Sequence, residues 1–208
     1  LEMPFFIAWA YENLGILYRL QGKTKEAVEY FQAAKLIYEE SGDLFDLAYI
    51  YQYMGKSYMN LADYEEGANY YLKSLNTLQL TTDTIAITDA HTNYGFALIN
   101  LKNWSDATYH LQQAEKLTNA IGSRTMLPFI YTGLGKIYEQ ERKIALAESY
   151  FKQAVEIAME FKDYANAVVY LIDLSRFYLR KGLLNDANQY AVQALSYQNF
   201  TSIYQQER

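Results

Sequence analysis

Apolar residues recur along this chain at helical spacing, and the helices they predict come in pairs. Between Phe5 and Leu20 the apolar positions include Ile7, Tyr11, Leu14, Ile16, Leu17 and Tyr18, which fits one amphipathic helix. Gln21-Gly22-Lys23 interrupts it. A second run, Thr24 to Glu40, carries Ala27, Val28, Phe31, Ala34, Leu36, Ile37 and Tyr38, and Ser41-Gly42-Asp43 ends it with a glycine suited to the position just past a helix. The pattern then starts again. Gly15, Gly55, Gly95 and Gly135 stand 40 residues apart, and the next step lands on Ser175. Leu14, Met54, Tyr94, Leu134 and Leu174 precede them, and Tyr18, Tyr58, Leu98, Tyr138 and Tyr178 follow three positions later. Five matches without an insertion predict an all-α array of two-helix units. Their expected bounds are about 3–42, 43–82, 83–122, 123–162 and 163–202, within one domain over 1–208, with 203–208 opening a further helix.

Two more rows of small residues keep the same beat: Ala27, Gly67, Ala107, Ala147, Ala187 and Ala34, Ser74, Ala114, Ala154, Ala194. Phe31, Tyr71, Leu111 and Phe151 lie between them. A mid-helix glycine costs roughly 1 kcal/mol relative to alanine, so the repeated glycines need a reason, and close helix packing supplies one. The fifth unit drifts, with Ser175 for the glycine and Ala191 where Phe151 stood. Asp43, Asp83, Ser123 and Asp163 are placed to cap the helices that follow them. Pro4 and Pro128, the two prolines, fall at expected helix starts.

Charge and composition narrow the function. A net charge of −6 argues against a nucleic-acid surface. There are no cysteines, hence no disulfides, thiolate metal ligands or thiol nucleophiles. No apolar stretch reaches the ~20 residues that span a bilayer, so no membrane insertion is expected. The cytoplasm is the expected compartment, with the periplasm left open. The chain opens at Leu1 without a signal-peptide pattern, and its ends lie near repeat edges, as in a fragment trimmed to repeat boundaries. His91 and His110 are the only histidines. His91 holds the aromatic position of Tyr11, Tyr51 and Tyr131 and reads as a packing residue, while His110 has only Asp106 within a helical turn. Three or four metal ligands at defined spacing are missing. So are a nucleophile elbow, a P-loop and a Gly-rich dinucleotide turn. Neither metal, cofactor nor enzymatic activity is expected. Of the 22 tyrosines, Tyr18, Tyr58, Tyr138 and Tyr178 read as core, whereas Tyr49 and Tyr53 are free to face a groove.

Leu14-Gly15-x-x-Tyr18 followed by Ala27-x-x-x-Phe31-x-x-Ala34 resembles the tetratricopeptide repeat. The usual unit has 34 residues; here six more follow Ala34 and lengthen the second helix, as in the long-repeat variants of kinesin light chains and bacterial sensory regulators. The resemblance implies a right-handed α-α superhelix whose first helices line a concave surface. It also implies that the positions three and two before the glycine, and one, four and five after it, point inward, with Trp9, Tyr49, Asp89, Phe129 and Val169 as a sixth row. From these rows the expected peptide-binding groove is Asn13, Gln52, Tyr53, Lys56, Asn93, Phe96, Phe129, Lys136 and Arg176. Amides suit a peptide backbone and cations suit carboxylates. The two-carboxylate clamp of chaperone-binding members is not matched: Gln52 and Lys56 precede Asn93, but the closing basic pair is replaced by Phe129 and Gly133. The resulting expectation is a non-enzymatic module that binds a protein or peptide segment, as the sensory or scaffolding part of a larger bacterial regulator. The alternative is self-association through terminal repeats, giving a homo-oligomer.

Overall fold

Ten helices form. The computed structural model describes residues 2–206, with side chains from 3 to 198, and no strand occurs among them. The helices are α1 (Glu2–Leu20), α2 (Thr24–Ser41), α3 (Leu44–Asn60), α4 (Tyr64–Leu78), α5 (Thr84–Asn100), α6 (Trp104–Ala120), α7 (Leu127–Gln140), α8 (Ile144–Glu160), α9 (Tyr164–Arg180) and α10 (Leu184–Gln206). They make five hairpins, each an odd-numbered helix followed by an even-numbered one. The expected opening of a further helix at 203–208 falls where side chains are not described; the backbone continues α10 unbroken to Gln206, and 207–208 lie outside the described residues. Contacts group the chain into two compact units, Leu1–Leu117 and Thr118–Arg208.

Three residues suffice for every turn within a hairpin because one of them is left-handed. At the first, Gly22 (φ 77°) lets its own N–H reach the Arg19 carbonyl at 3.0 Å and the Lys23 N–H reach that of Tyr18 at 2.9 Å. This pair of bonds closes the helix end. The other hairpins repeat it, with Asp63 donating to Tyr58, Asn103 to Leu98, Lys143 to Tyr138 and Leu183 to Tyr178. Yet the left-handed residue is Ala62, Lys102 and Arg142 in three of them.

The helix starts follow side-chain chemistry. Asp43, Asp83 and Asp163 accept from the N–H three residues on, and so do Asp63 and Asn103 inside hairpins. Ser123 does not act as a cap, contrary to the spacing. Its hydroxyl lies 3.1 Å from that of Thr125, and α7 begins only at Leu127. Pro128 explains the delay: a helix starting after Ser123 would put the proline in its second turn, where it lacks an N–H and clashes with the carbonyl four residues back. Starting at Leu127 keeps it in the first turn.

Each repeated glycine receives a large side chain from its partner helix. A β-carbon on Gly15 would lie 2.5 Å from Phe31, one on Gly55 2.8 Å from Tyr71, one on Gly95 2.8 Å from Leu111, and one on Gly135 3.0 Å from Phe151. In the fifth hairpin both members change together. Ala191 leaves room for Ser175, whose hydroxyl donates to the Ala187 carbonyl at 2.7 Å. In the first unit Phe31 also stacks on Tyr53 of the next hairpin at 5.4 Å, within a core of Ala27, Ala34, Tyr38, Leu47, Ile50 and Met54. In the second unit Phe151 meets Phe177 at 5.4 Å, beside Leu171 and Leu174.

Candidate functional site

The odd-numbered helices touch one another within each unit, α1 with α3, α3 with α5, and α7 with α9. The side chains they share come from the positions expected to point inward. On α3 and α5 the Asn93 amide donates to the Gln52 carbonyl oxygen at 3.3 Å, joining two of the expected groove residues. That bond orients the Gln52 amide. Its nitrogen is buried with no partner among the described residues, and so is the Nε of Arg19 on α1. Lys56 is exposed beside them, and its amine is held below the usual lysine range, first by burial and then by the Arg19 charge.

Tyr53 is less available than expected. It is half-buried, its ring lies on Phe31, and burial raises its hydroxyl pKa. Tyr49 likewise packs edge-on against Phe45 at 4.9 Å. Phe96 is half-buried on α5. Asn13 is exposed on α1 but turns its amide back to the Trp9 carbonyl at 2.7 Å. Glu12, on the same face, accepts from the Tyr38 hydroxyl at 3.2 Å; burial raises its pKa more than that bond lowers it. Thr92 is buried and bonded to its own helix.

The second unit holds Phe129, Lys136 and Arg176, and there Lys136 and Arg180 are answered from within. Lys136 pairs with Asp173 at 2.9 Å. Glu139, buried on α7, takes both ends of the Arg180 guanidinium at 2.9 and 2.6 Å, with Lys181 at 3.6 Å. Phe129 is 41% exposed. Arg176 edges a cleft of about 350 Å³ with Ile172, Ser175, Ala191, Ala194 and Leu195, where the Phe151-type side chain is missing.

Away from this face the two histidines meet. Their Nδ1 atoms lie 2.9 Å apart, so one ring donates to the other. Other hairpins put tyrosine pairs at these positions: Tyr11 and Tyr30, Tyr51 and Tyr70, Tyr131 and Tyr150. Burial, then the His110 charge, pushes His91 down to about 4, and burial lowers His110 against the pull of Asp106. No group of three or more potential metal ligands occurs among the described residues.

Arg19, Glu139 and Arg180 stand on inward rows but outside the nine expected residues. The signal available in the sequence is a register comparison: Lys136 pairs with Asp173, whereas 80 residues earlier the same two positions hold Lys56 and Asn93.

Two tetratricopeptide-repeat family models match, one over residues 6–79 and the other over 130–161. This chain belongs to the tetratricopeptide-repeat proteins. Its fold is similar to a Rap protein complexed with competence and sporulation factor, with TM-score 0.80 and 18% identity over 91% of this chain and 54% of that one. A Rap conjugation gene regulator of the plasmid pLS20, in complex with the Phr* peptide, aligns at TM-score 0.79 and 15% identity, over 94% and 54%. The repeats of a putative kinesin light chain from Podosopora anserina align at 0.75 and 15%, over 97% and 99%. The chain spans about half the length of the two Rap proteins. No curated protein matches its sequence.

Proposed function

We propose that this chain is a non-enzymatic module that binds a peptide or protein segment along the face of its odd-numbered helices, as the cytoplasmic sensory or scaffolding part of a larger bacterial regulator. The observation that carries this reading is the α1–α3–α5 face, where amides, half-buried aromatics and cations stand together and two buried donors have no partner among the described residues. An extended segment offers backbone carbonyls to such donors and side chains to the gaps between aromatics. The two similar Rap folds, one bound to competence and sporulation factor and one to the Phr* peptide, support it. Asn13, Gln52, Tyr53, Lys56, Asn93 and Phe96 are proposed as part of this surface, and Phe129, Lys136 and Arg176 as part of the corresponding face of the second unit. The net charge of −6 favours protein over nucleic acid as the partner, and no helix among the described residues is long and apolar enough to cross a membrane.

The test is retention of random acetylated dodecapeptides by the immobilised chain. Gln52→Ala with Asn93→Ala should abolish retention while far-UV circular dichroism and mass stay unchanged. Equal retention by the double variant would move the ligand elsewhere.

A second reading, self-association, is favoured by the apolar end hairpins. Ile7 and Leu17 on α1 are 45% and 49% exposed, and Leu195 on α10 is 58% exposed, although their counterparts Leu47, Ser57 and Val155 are buried. Sedimentation would show species above 24.2 kDa under this reading, and a monomer at all concentrations would exclude it.

A further inference from the structure

We propose that the centre of the α1–α3–α5 face is a receptor for a carboxylate, supplied by an aspartate or glutamate side chain of the bound segment and held by Lys56 and Arg19. This rests on the groove reading and adds the chemistry of the ligand.

Three observations converge. The first is register. In the second unit the lysine one position after the glycine, Lys136, is neutralised by Asp173 at 2.9 Å from the neighbouring odd-numbered helix. In the first unit the same two positions hold Lys56 and Asn93. An amide has replaced the carboxylate, and it bonds Gln52. The second is the fate of the neighbouring anion. Glu12 is on this face but accepts from the Tyr38 hydroxyl at 3.2 Å, and no ion pair to Arg19 or Lys56 occurs among the described residues. The third is donor supply. Arg19 Nε and the Gln52 amide nitrogen are buried without partners among the described residues, and the Arg19 charge acts on Lys56. Two cations and an oriented amide, whose Arg19 Nε and Gln52 nitrogen meet no acceptor among the described residues, are complementary to an oxygen anion. Lys56 and Gln52 lie on α3, the middle helix of the three, so a segment crossing the face continues to both sides. An internal acidic side chain fits that position better than a chain terminus. The protein as a whole is acidic at −6, so general electrostatics repel acidic peptides, and their selective capture requires local cations.

The experiment presents three pools of N-acetylated random dodecapeptides to the immobilised 208-residue chain. One contains all residues and ends in an amide; the second lacks Asp and Glu and ends in an amide; the third lacks Asp and Glu and ends in a free carboxylate. The first should be retained about tenfold or more over the other two, the effect of one charge-assisted hydrogen bond. Lys56→Gln should erase that preference. Asn93→Asp should erase it too, by giving Lys56 the internal partner that Lys136 has, with no loss of melting temperature. Equal retention of the first two pools would overturn the proposal and leave the groove reading standing. Retention of the third pool alongside the first would assign the site to a terminal carboxylate instead. An Asn93→Asp variant that keeps the wild-type preference would also overturn it. If no pool is retained, both this proposal and the groove reading fall.

Discussion

Replacing Gly15 with alanine sets two effects against each other, and the structure says which wins. Helix propensity favours alanine by about 0.8–1 kcal/mol. Against that, the new methyl would lie 2.5, 2.6 and 2.9 Å from three atoms of the Phe31 ring, where carbon atoms prefer roughly 3.5–4.0 Å. The ring would have to retreat by about 1 Å. It cannot do so freely, because Phe31 is fully buried and its far face rests on Tyr53 at 5.4 Å. Overpacking of this kind costs about 1–3 kcal/mol, and a stiff, stacked ring belongs at the top of that range. Gly15→Ala should therefore destabilise by about 2 kcal/mol net. Gly67→Ala is the control. Its methyl would meet Met59 Sδ at 2.8 Å, the flexible part of a half-buried side chain, and Gly55 O at 3.2 Å. Ala27, Ala107, Ala147 and Ala187 already fill that register and are buried. Gly67→Ala should stay within about 0.5 kcal/mol of the parent. Urea titrations followed by far-UV circular dichroism give both values, provided the slopes match. A Gly15→Ala protein as stable as the parent, or no less stable than Gly67→Ala, would refute the packing role assigned to the glycine beat.

The fifth hairpin offers the converse. Ala191→Phe alone should destabilise, and Ser175→Gly added to it should recover stability, with a coupling of about 1 kcal/mol or more in a double-mutant cycle; additive effects would deny the pairing. Stability should also fall with acid through the histidine pair. His91 gains its proton near 6.5 when unfolded and only near 4 when folded. The unfolded state is thus favoured increasingly as pH drops from 6.5 to 4, by about 1–2 kcal/mol after allowing for solvent screening at a partly buried pair. His91→Tyr with His110→Tyr, which copies the other hairpins, should flatten that part of the stability–pH curve, and an unchanged slope would contradict the assignment. At the left-handed turn residue Ala62 (φ 61°), glycine relieves strain, so Ala62→Gly should raise stability by about 0.5–1 kcal/mol, read as a higher melting temperature.

Much of the architecture could be read in advance because packing had written it into spacing. Gly15 and its successors mark helix contacts whatever the partner is, so Phe31, Tyr71 and Leu111 serve alike. Most helix ends followed from Gly22, Gly42 and Asp43 in the same way. Ser123 misled because a competing residue, Pro128, overrode the cap. Ala62, Lys102 and Arg142 carry no turn signature; the geometry of the hairpin imposes the left-handed state on them. The candidate site was harder. Inward rows can be counted, but a side chain's own partner cannot. Tyr53 turned to Phe31 and Asn13 to its own backbone, while Lys136 found Asp173 across a neighbouring helix. The histidine pair joins residues 19 positions apart on two helices, and only aligning it with Tyr51 and Tyr70 would have disclosed it.

The bonds from Gln52 to Asn93 and from Glu139 to Arg180 share one more property: each joins residues 41 apart. Tying the chain at such a point closes a loop of a single repeat, and the entropy lost in closing a loop grows only with the logarithm of its length. Assembly can proceed by many short closures of similar cost, started wherever two neighbouring hairpins first meet. Local closures of this kind favour fast folding. They also mean that an end hairpin can open and re-form without disturbing the loops closed further along the chain.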